Sequence, residues 1–257
     1  MRLFSILLFI SFSVSLHAQF GIEGDYSQQT INTSVVSKSK VVLEFNNLGM
    51  NTTNFLETDQ TTAALRYGIF SNTEFRVDMS MINGFLAANR DPSFGPLNVG
   101  LKTALLTNNG MGSNLSMLAM LSIPRVGDVA LRPRFLQPNL GLAYSIQASP
   151  SVRFSANGGV VFRTDELVGS SSNIYYSAMM RAAVTDFLSI FGEFFGNSPE
   201  ITDLGDTHRY GIQAGIGVYV SENIQLNAAY QHRLVSLEGS TNETTADYVR
   251  FGLAFRL

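Results

Sequence analysis

The sequence contains no cysteine and no tryptophan, and it carries little charge. Without cysteine there is no disulfide, no thiolate metal site, no cysteine nucleophile and no lipoprotein anchor after a leader. Charged residues are 14% of the chain, below the usual quarter, and Lys occurs three times in all. No cluster of Lys and Arg exists and the net charge is only −3, so the chain lacks the basic face that nucleic acid requires. Beyond its first twenty residues, no apolar run approaches the roughly eighteen that a membrane helix needs.

What is present begins with a leader. "MRLFSILLFISFSVSLHAQF" sets Arg2 before an apolar run and ends on a small-residue site, so residues 1–18 read as a signal peptide cleaved after Ala18. The run is too short to serve comfortably as a membrane anchor. Removal of Arg2 leaves 16 basic and 20 acidic residues from the 17 and 20 of the whole chain, a mature charge of −4.

After the leader, period-2 alternation recurs about every ten residues. "EFRVDMSM" sets Phe75, Val77, Met79 and Met81 against Glu74, Arg76, Asp78 and Ser80, and "NLGLAYSI" sets Leu140, Leu142, Tyr144 and Ile146 against Asn139, Gly141, Ala143 and Ser145. This pattern predicts strands. Twelve are expected, near 38–47, 60–69, 73–82, 97–107, 114–123, 136–147, 151–163, 174–184, 188–196, 208–220, 224–234 and 247–257. The even strands end in tight turns such as "FSNT", "ASP" and "SEN". The odd strands end in connections read as about ten to fifteen residues, such as "NSPEITDLGD" and "LEGSTNETTA". Short turns on one side and long loops on the other imply an all-β, transmembrane, antiparallel up-and-down β-barrel of about 12 strands in a Gram-negative outer membrane. Residues 19–37 read as an N-terminal periplasmic segment and 38–257 as the barrel.

The chain ends on "DYVRFGLAFRL", alternating to its last residue. A terminal edge strand is a pairing hazard, and in a barrel it closes the ring against the first strand. Its Phe255 and Leu257 also suit recognition by the barrel-assembly machinery, although such chains usually finish on Phe. In a membrane barrel the apolar face meets lipid and the polar face lines the lumen. Inward parity gives Lys40, Glu44, Arg66, Glu74, Arg76, Asp78, Lys102, Arg153, Arg163, Arg181, Glu193, Arg209, Arg250 and Arg256. Ten are basic and four acidic, a surplus of six positive charges inside. A soluble sandwich is the competing architecture. The preference for Arg over Lys favours a confined wall, where guanidinium forks bridge carboxylates.

The segments "LRYGIFSNTEFRV", "LNVGLKTALLTNNG", "LSMLAMLSIP", "LQPNLGLAYSIQASPSVRFSANGGV", "LSIFGEFF", "VYVSENIQLNAAY" and "DYVRFGLAFRL" resemble the outer-membrane family named "Putative MetA-pathway of phenol degradation". The resemblance covers about 38–257. It implies an outer-membrane barrel that takes up small organic compounds. "GDYSQQTINTS" stands where the family frequently opens with Asp-Arg-Pro-Gly.

Little else points to chemistry. The mature chain retains His208 and His232, both near the outer rim. Ser236 shares a face with His232 but lies four residues along the strand, about 13 Å away and beyond hydrogen-bond reach. "GIQAGIGV" opens no helix and is no phosphate loop; it reads as small lumen residues. The loop acids of "ITDLGD" and "TDE" fit weak Ca²⁺ binding at most, and read better as solvated loop than as a metal site. The chain is therefore read as a non-enzymatic channel or transporter for small organic molecules, anionic or aromatic among them, with no cofactor, no metal and no catalytic residue. Its expected partners are the outer-membrane bilayer, small-molecule solutes and the assembly machinery. The alternative is a non-conducting structural or surface-binding barrel, and behind it a lipid-modifying barrel enzyme. The lumen arginines fit two roles: a path for anions, or struts that fill a narrow barrel.

Overall fold

A computed structural model describes residues 30–51, 59–83, 92–107, 112–129, 131–165, 169–202, 205–237 and 243–257. The expected signal peptide lies outside them. The twelve strands are β1 (Val41–Asn51), β2 (Asp59–Phe70), β3 (Thr73–Asn83), β4 (Ser93–Thr107), β5 (Ser113–Ser122), β6 (Gln137–Ser149), β7 (Val152–Asp165), β8 (Gly169–Ala183), β9 (Leu188–Thr202), β10 (Gly205–Ser221), β11 (Ile224–Leu237) and β12 (Glu243–Arg256). Each pairs antiparallel with its sequence neighbours, and β12 returns to β1 to close the barrel. The closing register runs from Val42 opposite Arg256 to Asn51 opposite Asp247. The terminal strand has partners on both sides, so the barrel has no open edge.

The strands alternate as the pleat requires, but inside out relative to a soluble domain. Phe45, Leu65, Leu101, Leu142, Ile190, Ile216, Leu226 and Phe251 are exposed on the outer face. Glu44, Arg66, Glu74, Arg76, Lys102, Gln213, Gln225 and Gln231 are buried inside. The wall therefore presents an apolar band to its surroundings and encloses a polar core. Leu142→Arg, in the middle of β6, is expected to lower unfolding stability in lipid by about 2–4 kcal/mol, measured by urea titration of the folded, heat-modifiable band.

The tight connections are as the sequence suggests, for example 71–72 between β2 and β3 and 222–223 between β10 and β11. The opposite side differs. Three of the connections expected to be long are mostly strand, because β9 runs to Thr202 and β10 begins at Gly205, while β7 and β8 pair out to Asp165 opposite Gly169. β11 and β12 likewise pair out to Ser236 opposite Glu243. Ser, Asp, Thr and Gly mimic loop composition, yet continued pairing with a neighbour satisfies their backbone groups and carries these hairpins past the apolar band. The connection 123–136 instead folds back on the start of β4, with Asp128 N bonding Phe94 O.

The first strand begins later than expected. Ser39, at φ 64°, turns the chain immediately before β1. Residues 30–37, read from sequence as part of a periplasmic segment, lie within the wall: Thr30, Asn32, Thr33 and Val36 are buried. This strap crosses the barrel from β8–β9 to β2–β3.

Candidate functional site

The lumen is built in three levels. At the short-turn rim are Lys40, Arg153 and Arg256. Lys40 is exposed just ahead of β1. Arg153 Nε donates to Gln147 Oε1 at 3.0 Å. Arg256 caps the 222–223 turn, donating to Asn223 Oδ1 at 3.1 Å and to Glu222 O at 2.9 Å.

Above the rim is a belt of buried charge. Register sets Arg66 opposite Arg76 and Glu74 opposite Lys102. Like charges opposed across strands are unfavourable alone, and two carboxylates resolve the conflict. Glu74 accepts from Arg66 Nε at 2.9 Å and Nη2 at 3.0 Å, in a two-point fork. Arg76 Nη1 donates to the same carboxylate at 3.3 Å. Arg66 Nη1 reaches Glu44 Oε1 at 2.8 Å. On the opposite side, Arg181 lies over the Phe191 ring at 5.6 Å and is opposed in register by Arg153. Glu193 is buried on β9.

The strap is tied to this belt at both ends by its backbone. Thr30 N donates to Glu193 Oε1, and Val36 N donates to Glu74 Oε2 at 2.6 Å. Between them, Thr30 Oγ1 meets Ser177 Oγ at 2.6 Å and Thr33 Oγ1 meets Ser145 Oγ at 2.6 Å. Arg66 Nη2 donates to Ser34 O at 3.3 Å. The seat on β2 is Gly68, whose N and O bond Lys40 O and Ser39 N. A Cβ there would stand 2.1 Å from Ser37 O, so only glycine admits the strap so close.

Above the strap the lumen opens toward the long-strand side as two adjoining cavities that share Val161 and Arg163. The larger, about 470 Å³, has Ile31 of the strap on its wall together with Asn46, Arg76, Asp78, Asn98, Arg163 and Arg250. The smaller, about 280 Å³, is lined by Arg163, Arg209, Arg233, Asn173, Tyr175 and Phe195, among others. Of the described residues lining the two, one is a carboxylate, Asp78. It accepts from Asn98 Nδ2 at 2.7 Å, and Asn98 in turn accepts from Ser122 Oγ at 2.6 Å.

Arg233 is absent from the fourteen side chains read from the sequence. It has the inward parity of Gln225, Asn227 and Gln231, and that parity was the signal available. The inward rings Tyr175, Phe191 and Phe195 were also missed, because aromatic residues on an alternating strand read first as lipid-facing. Glycines seat them: a Cβ at Gly215 would stand 2.6 Å from Phe191 Cζ, and one at Gly211 2.7 Å from Phe195 Cζ. Gly211 and Gly215 of "GIQAGIGV" are thus ring seats, while Gly217 faces Ser189 and Asn227. His232 faces outward, its Nδ1 donating to Asp247 Oδ1 at 2.7 Å, and that oxygen also accepts from Tyr230 Oη at 2.6 Å. Among the described residues no group of three potential metal ligands converges.

The family model described as "Putative MetA-pathway of phenol degradation" matches residues 45–251. No curated protein matches the chain. Among solved structures, an outer membrane channel from Pseudomonas putida F1 superposes with TM-score 0.64 at 12% identity, over 91% of this chain and 99% of that one. The NanC porin gives TM-score 0.58 at 9% identity, over 84% and 100%. The KdgM porin in complex with disordered oligogalacturonate gives TM-score 0.55 at 7% identity, over 83% and 98%. At these identities the shared property is the fold. With an apolar exterior around a polar lumen, the chain is an outer-membrane β-barrel.

Proposed function

The chain belongs to the family described as "Putative MetA-pathway of phenol degradation", and on that premise we propose that it is an outer-membrane channel for small organic solutes that favours anions. The observation that carries this reading is the lining of the upper lumen. Arg76, Arg163, Arg209, Arg233 and Arg250 converge on the two cavities, against the single carboxylate Asp78 among the described lining residues. Fixed guanidinium groups in a narrow, partly dehydrated passage lower the barrier for anions and raise it for cations. The fourteen side chains read from the sequence divide accordingly. Glu44, Arg66, Glu74, Arg76 and Lys102 form the buried belt, where paired charges brace the wall. Asp78, Arg163, Arg209 and Arg250 line the route from outside, with Arg233 added to them. Lys40, Arg153 and Arg256 stand at the periplasmic exit, and Arg181 and Glu193 lie between. The C-terminal strand, ending in Phe255 and Leu257, serves as the signal read by the assembly machinery.

The test is planar-bilayer conductance of the refolded mature chain under a salt gradient. Discrete steps with an anion-selective reversal potential are expected. Replacing Arg163, Arg209 and Arg250 together by Gln is expected to move that potential toward zero. A folded, inserted barrel that passes no current would overturn the channel reading and leave the charges as internal struts.

A further inference from the structure

Resting on the channel reading, we propose that the smaller upper cavity is a specific binding site for a small carboxylate with a flat, unsaturated body. Three guanidinium groups, those of Arg163 on β7, Arg209 on β10 and Arg233 on β11, line this one space. They are close enough to repel: Arg209 acts on both Arg163 and Arg233, and Arg233 acts on Arg250. A partly enclosed cavity that gathers several cationic side chains is a favourable place for an anion.

Two polar groups point to the same ligand. Asn173 is 6% exposed, lines the cavity, and its Nδ2 has no hydrogen-bond partner. Arg233 Nε is likewise buried without one. Buried donors without partners are uncommon, and both belong to the kind of group that a carboxylate oxygen satisfies. The Arg233 guanidinium lies over the Tyr248 ring at 4.8 Å and the Phe195 ring at 5.8 Å. The two rings and a hydrogen bond with Tyr248 hold the guanidinium in place, and its unpartnered Nε is presented to a planar acceptor.

The body of the ligand follows from the walls. Phe195 and Tyr175 line the same cavity. Tyr175 is held in place by its hydroxyl, which donates to Asn139 Oδ1 at 3.1 Å, and by Gly141 and Gly159, where a Cβ would stand 2.3 and 2.4 Å from that oxygen. Aromatic walls favour a flat partner. The volume of about 280 Å³ is at the low end for small-molecule pockets, which fits one small molecule rather than an oligomer.

Isothermal titration of the mature barrel in detergent tests the site directly, with benzoate as the probe and benzyl alcohol and cyclohexanecarboxylate as comparators. Benzoate is expected to bind at one saturable site. Cyclohexanecarboxylate should bind more weakly, and benzyl alcohol should give no saturable heat. Arg233→Gln should weaken benzoate by about tenfold or more, and Arg233→Lys should not restore it, because an ammonium lacks the fork. Phe195→Leu, which leaves every charge in place, should erase the preference for benzoate over cyclohexanecarboxylate. Equal benzoate affinity in the folded Arg233→Gln barrel would overturn the site, as would the absence of saturable heat with the parent chain. Conductance of the same preparations separates the two readings: an anion-selective barrel with no benzoate site rejects this inference alone, whereas a benzoate-binding barrel that passes no current rejects the channel and keeps the site.

Discussion

A mature chain that begins at Lys38, with residues 19–37 removed, is expected to conduct several-fold more current per barrel than the full mature chain. The strap spans the lumen from Glu193 and Ser177 to Glu74 and Gly68, and it stands between the upper cavities and the short-turn exit. Conductance follows open cross-section, so removing the strap should widen the narrowest level. The parent sequence has no cysteine, which makes a reversible version clean. Thr33 Oγ1 and Ser145 Oγ are 2.6 Å apart, so Thr33→Cys with Ser145→Cys introduces two thiols within bridging reach. Oxidation should hold current at its lowest level and a reductant should release it. Gly68→Val gives a third handle. Its side chain collides with the strap backbone rather than with any flexible group, so this variant should conduct like the deletion. Identical unit conductance in the deletion, in Gly68→Val and in the oxidised and reduced cysteine pair would show that the strap does not set the constriction.

The wall was readable from the sequence and the strap was not, for one physical reason. A strand in a barrel divides two solvents, lipid and a polar interior, so each residue reports its side and twelve alternating segments emerge. The strap, "TINTSVVS", mixes Thr, Asn and Ser with Ile31, Val35 and Val36 in no regular period, because it is surrounded by the barrel interior on all sides. Its position is set by Glu74 and Glu193, which lie 38 and 163 residues away, and no local pattern encodes such partners. The hairpin tops failed for the converse reason. Residues 197–206 read as loop by composition, yet most of them pair as strand because β9 and β10 continue to satisfy each other's backbone. Arg233 was recoverable by parity alone. Phe191 and Phe195 share the inward parity of Glu193; what parity does not tell is that glycines in the neighbouring strand make room for the rings.

Glu74→Gln is expected to be among the most destabilising single changes in the lumen, by about 3–5 kcal/mol, and to do more harm than Glu44→Gln. Glu74 is fully buried and serves four donors at once: Arg66 through two nitrogens, Arg76, and the backbone N–H of Val36. Lys102, also fully buried, is opposite it in register. Glutamine keeps the shape but removes the charge, so Arg66, Arg76 and Lys102 lose a shared buried anion in a space they cannot leave. Glu44, by contrast, pairs with Arg66, which retains Glu74 when Glu44 is neutralised. The ordering distinguishes a central strut from a peripheral one, and urea or heat titration of the folded band in SDS electrophoresis reads it. The double change Glu74→Gln with Arg76→Gln should recover part of the loss, because it removes one of the stranded cations along with the carboxylate. If Glu74→Gln and Glu44→Gln unfold at the same point, the belt does not work through Glu74. The same variant also loosens one end of the strap, since a neutral amide is a weaker acceptor for Val36 N than a carboxylate. Raised conductance should therefore accompany lowered stability in Glu74→Gln, while Glu44→Gln should leave conductance near that of the parent.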